Sequence, residues 1–281
     1  MTINLQAWSA QAIQRLTGIS DFPALESQVL LAYFLHVSRE WIIAHPEFEL
    51  NQEQASQLEI HLSRLLNGEP LPYITGVQAF YGLDFTVTPD VLIPRPETEL
   101  LVEEAINWLR DHPERRTALD MGTGSGAIAV TLADQIPDLE LVAADLSPAA
   151  LEVARSNAEK FKVEERIVLV QSDLWNKIDG AFDLIAANLP YIPSVELRKL
   201  AVSRHEPMLA LDGGADGLQV IRDFLLEVRN HIKPRGFILL EIEAGQGESA
   251  HELVRNRWHE TTIKLIRDYS DLPRLISIQV T

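Results

Sequence analysis

Leu5, Trp8, Ala12, Ile13 and Leu16 recur at helical spacing, and Gly18 follows as a stop, which predicts a first amphipathic helix. A second is expected from Asp21, with Pro23 just inside, where a missing N–H costs nothing, and Leu25, Val29, Leu30, Phe34 and Leu35 along it. A third opens at Asn51 with Gln54 in the capping-box position, carries Leu58, Leu62 and Leu65, and stops at Gly68. Together these predict a small helical module.

The texture changes after Gly68. The stretch GEPLPYITGVQAFYGLDFTVTPDVLIPRPE holds five prolines, turn signals at Gly76 and Gly82, and two alternating apolar runs, read as a linker and a hairpin. Beyond Thr98 an amphipathic helix (Leu100, Leu101, Ala105, Ile106, Leu109) leads into alternating strand and helix patterns. Strands are expected near residues 117–121, 140–145, 166–171, 182–187 and 236–242, with helices after the first three and on both sides of the last. Such alternation predicts an α/β fold with a mostly parallel sheet covered on both faces. The final runs TTIKLIRDY and RLISIQVT, joined by a turn around Asp271 to Pro273, are expected to pair antiparallel. The domain reading is a helical bundle over 1–75, a linker and β-hairpin over 76–96, and an α/β domain over 97–281.

Composition narrows the chemistry. The 281 residues are 46% hydrophobic and 23% charged, ordinary for a globular chain. A formal charge of −17 makes the average surface repel phosphate backbones, which weighs against a free nucleic acid as substrate. The absence of cysteine excludes disulfides and thiolate nucleophiles, and with them cytosine methylation through a thiolate adduct. The opening MTINLQAWSAQAIQRL lacks the basic and continuously apolar regions of a secretory signal, and no stretch approaches the ~18 apolar residues of a membrane span, so the chain is read as cytoplasmic. Its eight histidines show no metal-ligand spacing. His251 and His259 are read as surface residues of a helix, and no metal is expected.

The first strand runs into Asp120-Met121-Gly122-Thr123-Gly124-Ser125-Gly126-Ala127. Glycines at alternate positions let a backbone turn sharply and approach a ligand at a helix N-terminus. Gly122, Gly124 and Ala127 also satisfy the dinucleotide pattern, so a nicotinamide enzyme is a competing reading of this loop. Asp145, ending the second strand, stands where a carboxylate accepts from ribose hydroxyls. After the third strand, Asp173 is placed to accept from an adenine amino group, with Leu174 or Trp175 flanking the ring. The fourth strand runs directly into Asn188-Leu189-Pro190-Tyr191, which sets an amide, a main-chain carbonyl and an aromatic face beside the same crevice. The Asn188 side-chain oxygen and the Leu189 carbonyl can each accept one hydrogen of a planar NH₂ group, while Tyr191 stacks on its plane and Pro190 stiffens the turn.

In combination these residues resemble a class I AdoMet methyltransferase acting on a conjugated nitrogen. More narrowly, Val91-Leu92-Ile93-Pro94-Arg95-Pro96-Glu97-Thr98-Glu99 resembles the signature of the HemK/PrmC family, which methylates the glutamine of the Gly-Gly-Gln motif in peptide chain release factors. Glu69-Pro70, Tyr73-Ile74, the stretch from Glu206-Pro207 to Gly217-Leu218, Glu241-Ile242 and Gln246-Gly247 extend the likeness over nearly the whole chain. One departure stands out: the family usually has Asn-Pro-Pro-Tyr, whereas this chain has Leu189, as in the similar motif of rRNA adenine dimethyltransferases.

The resemblance implies a Rossmann-like, mostly parallel seven-stranded sheet with a small N-terminal helical domain and a connecting β-hairpin, S-adenosyl-L-methionine as cofactor and a release factor as partner. No direct nucleic-acid contact, membrane attachment or oligomer is required. It implies that Gly122 to Gly126, Asp145, Asp173 to Trp175 and Asn188 bind the cofactor, and that Asn188 to Tyr191 hold the glutamine amide. Arg95 is expected near the cofactor, ordering its loop or meeting the substrate, and the helical module is expected to dock the partner. Thr98 also has a plainer reading, as the N-cap of the helix that follows it. Competing activities are a nucleic-acid adenine N6-methyltransferase, which needs a basic groove, and a catalytically silent AdoMet-binding regulator.

Overall fold

A computed structural model describes residues 3–258 and 261–281, so His259 lies outside the described residues. The chain forms two compact units, Met1–Val77 and Gln78–Thr281.

In the first unit β1 (Ile3–Asn4) leads into α1 (Leu5–Leu16), α2 (Pro23–Leu35), α3 (Arg39–Ala44), β2 (Glu49–Leu50), α4 (Gln52–Leu66) and α5 (Leu71–Thr75). Asn4 caps α1, and Asn51 with Gln54 forms the expected reciprocal box on α4. Helix α2 begins at Pro23 without a side-chain cap, because Ser20 and not Asp21 supplies the local acceptor, taking the Phe22 N–H at 2.9 Å. Helices α3 and α5 were not expected; at 6 and 5 residues they are too short to show a period. Leu5, Trp8, Leu16, Leu30, Leu58 and Leu62 bury their side chains in this unit's core.

The second unit opens with a hairpin of β3 (Val77–Phe80) and β4 (Leu83–Thr86). Its turn residues Tyr81 and Gly82 both take positive φ, 48° and 77°, the type I′ geometry that matches strand twist. Then follow α6 (Thr98–Asp111), β5 (Thr117–Met121), α7 (Ala127–Gln135), β6 (Glu140–Asp145), α8 (Pro148–Lys160), β7 (Ile167–Gln171), β8 (Phe182–Ala187) and the short α9 (Ser194–Leu197). The chain ends with α10 (Gln219–His231), β9 (Ile232–Glu241), α11 (Gly247–Arg255), β10 (Thr261–Arg267) and β11 (Pro273–Val280). His251 sits half-buried on α11.

These strands form the expected seven-stranded sheet, in the order β10-β11-β9-β8-β5-β6-β7, parallel from β9 to β7 and antiparallel at β11 and β10. Successive strand residues feed opposite cores: Ala118, Leu184 and Leu239 join the face with α6 and α7, while Leu119, Ile185 and Leu240 join the face with α10 and α11. The order reverses at β5, which lies between β6 and β8. A crevice therefore opens beyond the carboxyl ends of the strands at this switch point, the usual ligand site of an open α/β sheet. The opposite ends are clamped by Asp183, which accepts from the Thr117 hydroxyl at 2.8 Å, Lys233 at 3.0 Å and Arg115 at 3.1 Å.

Candidate active site

A cavity of about 270 Å³ occupies the switch point. Gly122 and Gly124 form one wall, Asp145 and Leu146 a second, and Asp173 and Leu174 a third. Asn188, Leu189 and Pro190 close the β8 side, and Pro207 and Leu209 face Val91 and Leu92 across the rim. Five aspartates (90, 145, 173, 212 and 223) line it, and the described lining contains no Lys, Arg or His.

The glycine loop works by close approach. Gly122, Gly124 and Gly126 have φ of 77°, 55° and 81°, a region closed to most side chains. A Cβ at 122 would meet Leu189 Cδ2 at 3.3 Å, while one at 124 meets nothing within 4 Å. At 126 it would meet Ala154 at 3.2 Å, so this glycine packs α7 against α8 and does not face the cavity. Thr123 and Ser125 are likewise buried away from it: the Thr123 hydroxyl donates to Asp120 at 2.6 Å, and the Ser125 carbonyl accepts from Asn157 at 2.8 Å. Asp120 also takes the Ala129 N–H, tying the loop to α7; burial drives its carboxyl up to about 7 despite these two bonds.

Asp145 faces the cavity with each carboxylate oxygen accepting one backbone N–H, from Gly124 at 2.9 Å and Ser147 at 2.8 Å. Burial pushes its pKa up while those bonds pull it back. Both oxygens keep lone pairs for a ligand's hydroxyls. Leu174 takes the left-handed backbone, φ 45°, its carbonyl held at 2.7 Å by the Ser172 hydroxyl. Trp175, one of the two candidates for a ring-flanking wall, faces the other way. Its indole N–H donates to the Phe224 carbonyl at 2.8 Å and its ring stacks on His231 at 4.5 Å, so Leu174 alone of the pair reaches the cavity.

Asn188 sits where β8 ends. One hydrogen of its Nδ2 goes to Thr98 Oγ1 at 3.1 Å, leaving Oδ1 as its acceptor for a ligand. Thr98 is thus no N-cap: α6 starts at Thr98 itself, Glu97 occupies the cap position without a side-chain bond, and the Thr98 hydroxyl serves Asn188. The Leu189 side chain is buried against Gly122 in the core, which accounts for a large apolar residue at this position. Tyr191 lies just beyond the cavity wall, its hydroxyl donating to Glu241 at 3.4 Å and its carbonyl accepting from Gln246 at 2.8 Å. Burial and the neighbouring Glu241 charge push the phenol pKa up, so it stays a donor. Gly213 and Gly217 pack against this segment, where a Cβ would come within 2.8 Å and 2.2 Å of Tyr191 backbone atoms.

Arg95 meets neither the cavity nor its floor. It pairs with Glu206 at 2.6 Å, and the second Glu206 oxygen accepts the Ile93 N–H at 3.2 Å, so the two loops forming the rim are bound to each other. Asn157, Glu206 and Glu241 have structural parts here that spacing did not reveal.

An acidic crevice with a glycine loop, a carboxylate at the end of β6 and an oriented carboxamide has the charge and the acceptors to hold a positively charged ligand beside a planar NH₂ donor. A family model described as the PrmC N-terminal domain matches residues 7–76, and one described as the methyltransferase small domain matches residues 97–204. The chain is 39% identical to the release factor glutamine methyltransferase of Koribacter versatilis over 90% of both chains, and 40% identical to that of Moorella thermoacetica over 94% of both. In architecture it is similar to a methyltransferase from Pyrococcus furiosus, with a TM-score of 0.52 at 20% identity over 79% of this chain and 98% of that one.

Proposed function

This chain belongs to the release factor glutamine methyltransferase family, and from that premise we propose how it transfers a methyl group from AdoMet to the side-chain amide nitrogen of the Gly-Gly-Gln glutamine. The observation that carries the reading is the Asn188 amide on the cavity wall, with its nitrogen committed to Thr98 and its oxygen left to accept.

The residues present suit AdoMet. Gly124 leaves open space on the cavity side of the loop, Asp145 offers carboxylate lone pairs for hydroxyls, and Leu146 and Leu174 give apolar surface for a base. Five aspartates line the cavity with no Lys, Arg or His among the described lining residues, which favours a sulfonium over the neutral thioether left after transfer. The cofactor, when bound, supplies an electrophilic methyl group.

An amide nitrogen is a weak nucleophile because its lone pair is delocalised into the carbonyl. Orientation must therefore supply much of the rate, and well-oriented reactants recover roughly 7–11 kcal/mol of barrier. Asn188 Oδ1 and the Leu189 carbonyl each accept one hydrogen of the substrate NH₂, aiming its nitrogen along the line of displacement. Tyr191, anchored by its hydroxyl, offers its ring to the amide plane. The N-protonated product is acidic enough to release its proton to water, so no strong base is required. The helical unit over 1–75 docks the release factor away from its glutamine, since one side chain offers too little area for specificity. A release-factor substrate supports a role in translation termination in the cytoplasm.

The test is incubation with labelled AdoMet and a purified release factor beside a version whose Gly-Gly-Gln glutamine is replaced. Label enters the first and not the second; equal labelling of both, or label in neither, refutes the assignment.

A further inference from the structure

Gln246 and Gly247 belong to the family likeness, yet neither lines the cavity at the switch point. The Gln246 side chain is buried and uses both ends of its amide. Its Oε1 accepts the Glu243 N–H at 3.3 Å, and its Nε2 donates to the Tyr191 carbonyl at 2.8 Å. Turned the other way, the amide would set oxygen against oxygen and N–H against N–H, so the two partners fix its orientation. The first bond is local and closes the capping box of the turn Ala244–Gln246. The second reaches 55 residues back along the chain into the site, and no cap requires it.

That bond holds one peptide unit. Between Tyr191 and Ile192 the chain offers one carbonyl and one N–H: Gln246 takes the carbonyl, and the Leu211 carbonyl takes the Ile192 N–H at 3.1 Å. With both polar groups held, the rigid peptide plane cannot turn, and the direction in which the Tyr191 side chain leaves the backbone is set with it. Pro190 and Pro193 lock φ on either side. The packing around this carbonyl leaves no room for a side chain. Gly217 has φ 78°, and a Cβ there would overlap both the Tyr191 carbonyl oxygen and Gln246 Nε2. A Cβ at Gly247 would meet Pro273 of β11 at 2.8 Å, so the turn that carries Gln246 is itself seated on the sheet.

We propose that Gln246 is a positioning residue for methyl transfer: by holding the Tyr191 carbonyl, it fixes the direction from which the Tyr191 ring meets the substrate amide. This rests on the methyl-transfer reading given above. Gln246→Glu keeps the shape of the side chain and makes the donor titratable. Protonated, the introduced carboxyl accepts the Glu243 N–H with one oxygen and donates its O–H to Tyr191, as the amide does. Ionised, it sets a negative charge against the Tyr191 carbonyl oxygen. The charged groups around position 246 are Glu243, Glu252 and Asp216, with Arg222 paired to Asp216. Burial and this negative setting both raise the pKa of such a carboxyl, which moves its titration toward neutral pH.

The experiment measures kcat and KM on the release factor and the AdoMet Kd by calorimetry, each across pH, for wild type, Gln246→Glu and Gln246→Leu. Misplacing a group beside the reacting atoms costs on the order of 10²-fold, so kcat in Gln246→Leu should fall by about that factor, with the AdoMet Kd near wild type as proof of folding. In Gln246→Glu, kcat relative to wild type should stand near unity at acid pH and fall toward the Gln246→Leu value as pH rises. One protein gives both rates, so a folding defect does not imitate the result. Near-wild-type kcat in Gln246→Leu, a Gln246→Glu ratio that is the same at every pH, or AdoMet affinity lost in step with kcat overturns the proposal and leaves the activity standing. If wild type itself methylates nothing, the functional reading fails, and the Tyr191 carbonyl carbon, followed by NMR in protein labelled at its tyrosine carbonyls, still decides the hold. A signal displaced in Gln246→Leu supports it, and a signal unmoved there refutes it.

Discussion

Arg95 and Glu206, 111 residues apart, join at 2.6 Å, and the glutamate side chain is only 3% exposed. Removing one partner of a buried pair strands the other charge, at a cost of roughly 3–5 kcal/mol, whereas removing both can be nearly neutral. We therefore expect Arg95→Ala to lower the denaturant midpoint more than the double variant Arg95→Ala with Glu206→Gln. Because this pair binds the two rim loops, Arg95→Ala should also weaken AdoMet binding. Additive losses across the cycle, measured by urea unfolding, would show that the two side chains do not depend on each other.

Asn188 offers a cleaner separation of binding from transfer. Its replacement by alanine removes the acceptor for the substrate amide and leaves the glycine loop and Asp145 untouched. Turnover on the release factor should disappear while the AdoMet Kd, read by calorimetry, stays close to wild type. A variant that keeps the full rate would remove Asn188 from the reaction.

The architecture was readable because it rests on local period. The strands at 117–121, 140–145 and 182–187 are short, largely buried runs of the kind a parallel sheet covered on both faces requires, and the glycines at 122 and 124 advertise their own backbone. What stayed hidden depends on long-range pairing, which leaves no period. Asn157 serves both Ser125 and Thr86, 32 and 71 residues away, and Thr98 looks like a cap until Asn188 is set beside it. Leu174 and Trp175 were indistinguishable for a different reason: a loop has no fixed alternation, and only the place of Phe224 and His231 decides that the indole turns inward.

The three loop glycines should fail in different ways. Each has positive φ, so alanine at any of them costs about 1 kcal/mol or more in backbone strain. At 126 the added methyl also meets Ala154 at 3.2 Å, and Gly126→Ala should lower the melting temperature more than Gly124→Ala. At 124 the methyl enters open cavity, so Gly124→Ala should fold and instead lose AdoMet affinity. Thermal melts with and without AdoMet separate the two; equal loss of ligand stabilisation in both variants would contradict the division.

Asp183 sets the acid limb of stability. Burial alone would raise its pKa, but the bonds from Thr117, Lys233 and Arg115 outweigh that and hold the carboxyl at about 2, below its ordinary 3.8. A carboxylate whose pKa is depressed in the folded state stabilises the fold above its unfolded pKa, and that contribution is lost as pH falls through the folded value. The window here runs from about 4 down to 2, and a shift of this size corresponds to about 2 kcal/mol at neutral pH. Asp183→Asn removes the titration, so its unfolding free energy should lie below wild type at pH 7 and converge with it as the pH approaches 2. Because Asp183 clamps the strand ends opposite the cavity, the AdoMet Kd at neutral pH should not change. Urea unfolding at stepped pH reads the convergence directly. A gap between variant and wild type that stays constant down to pH 2 would mean that the clamp acts by shape alone and that the charge of Asp183 contributes nothing.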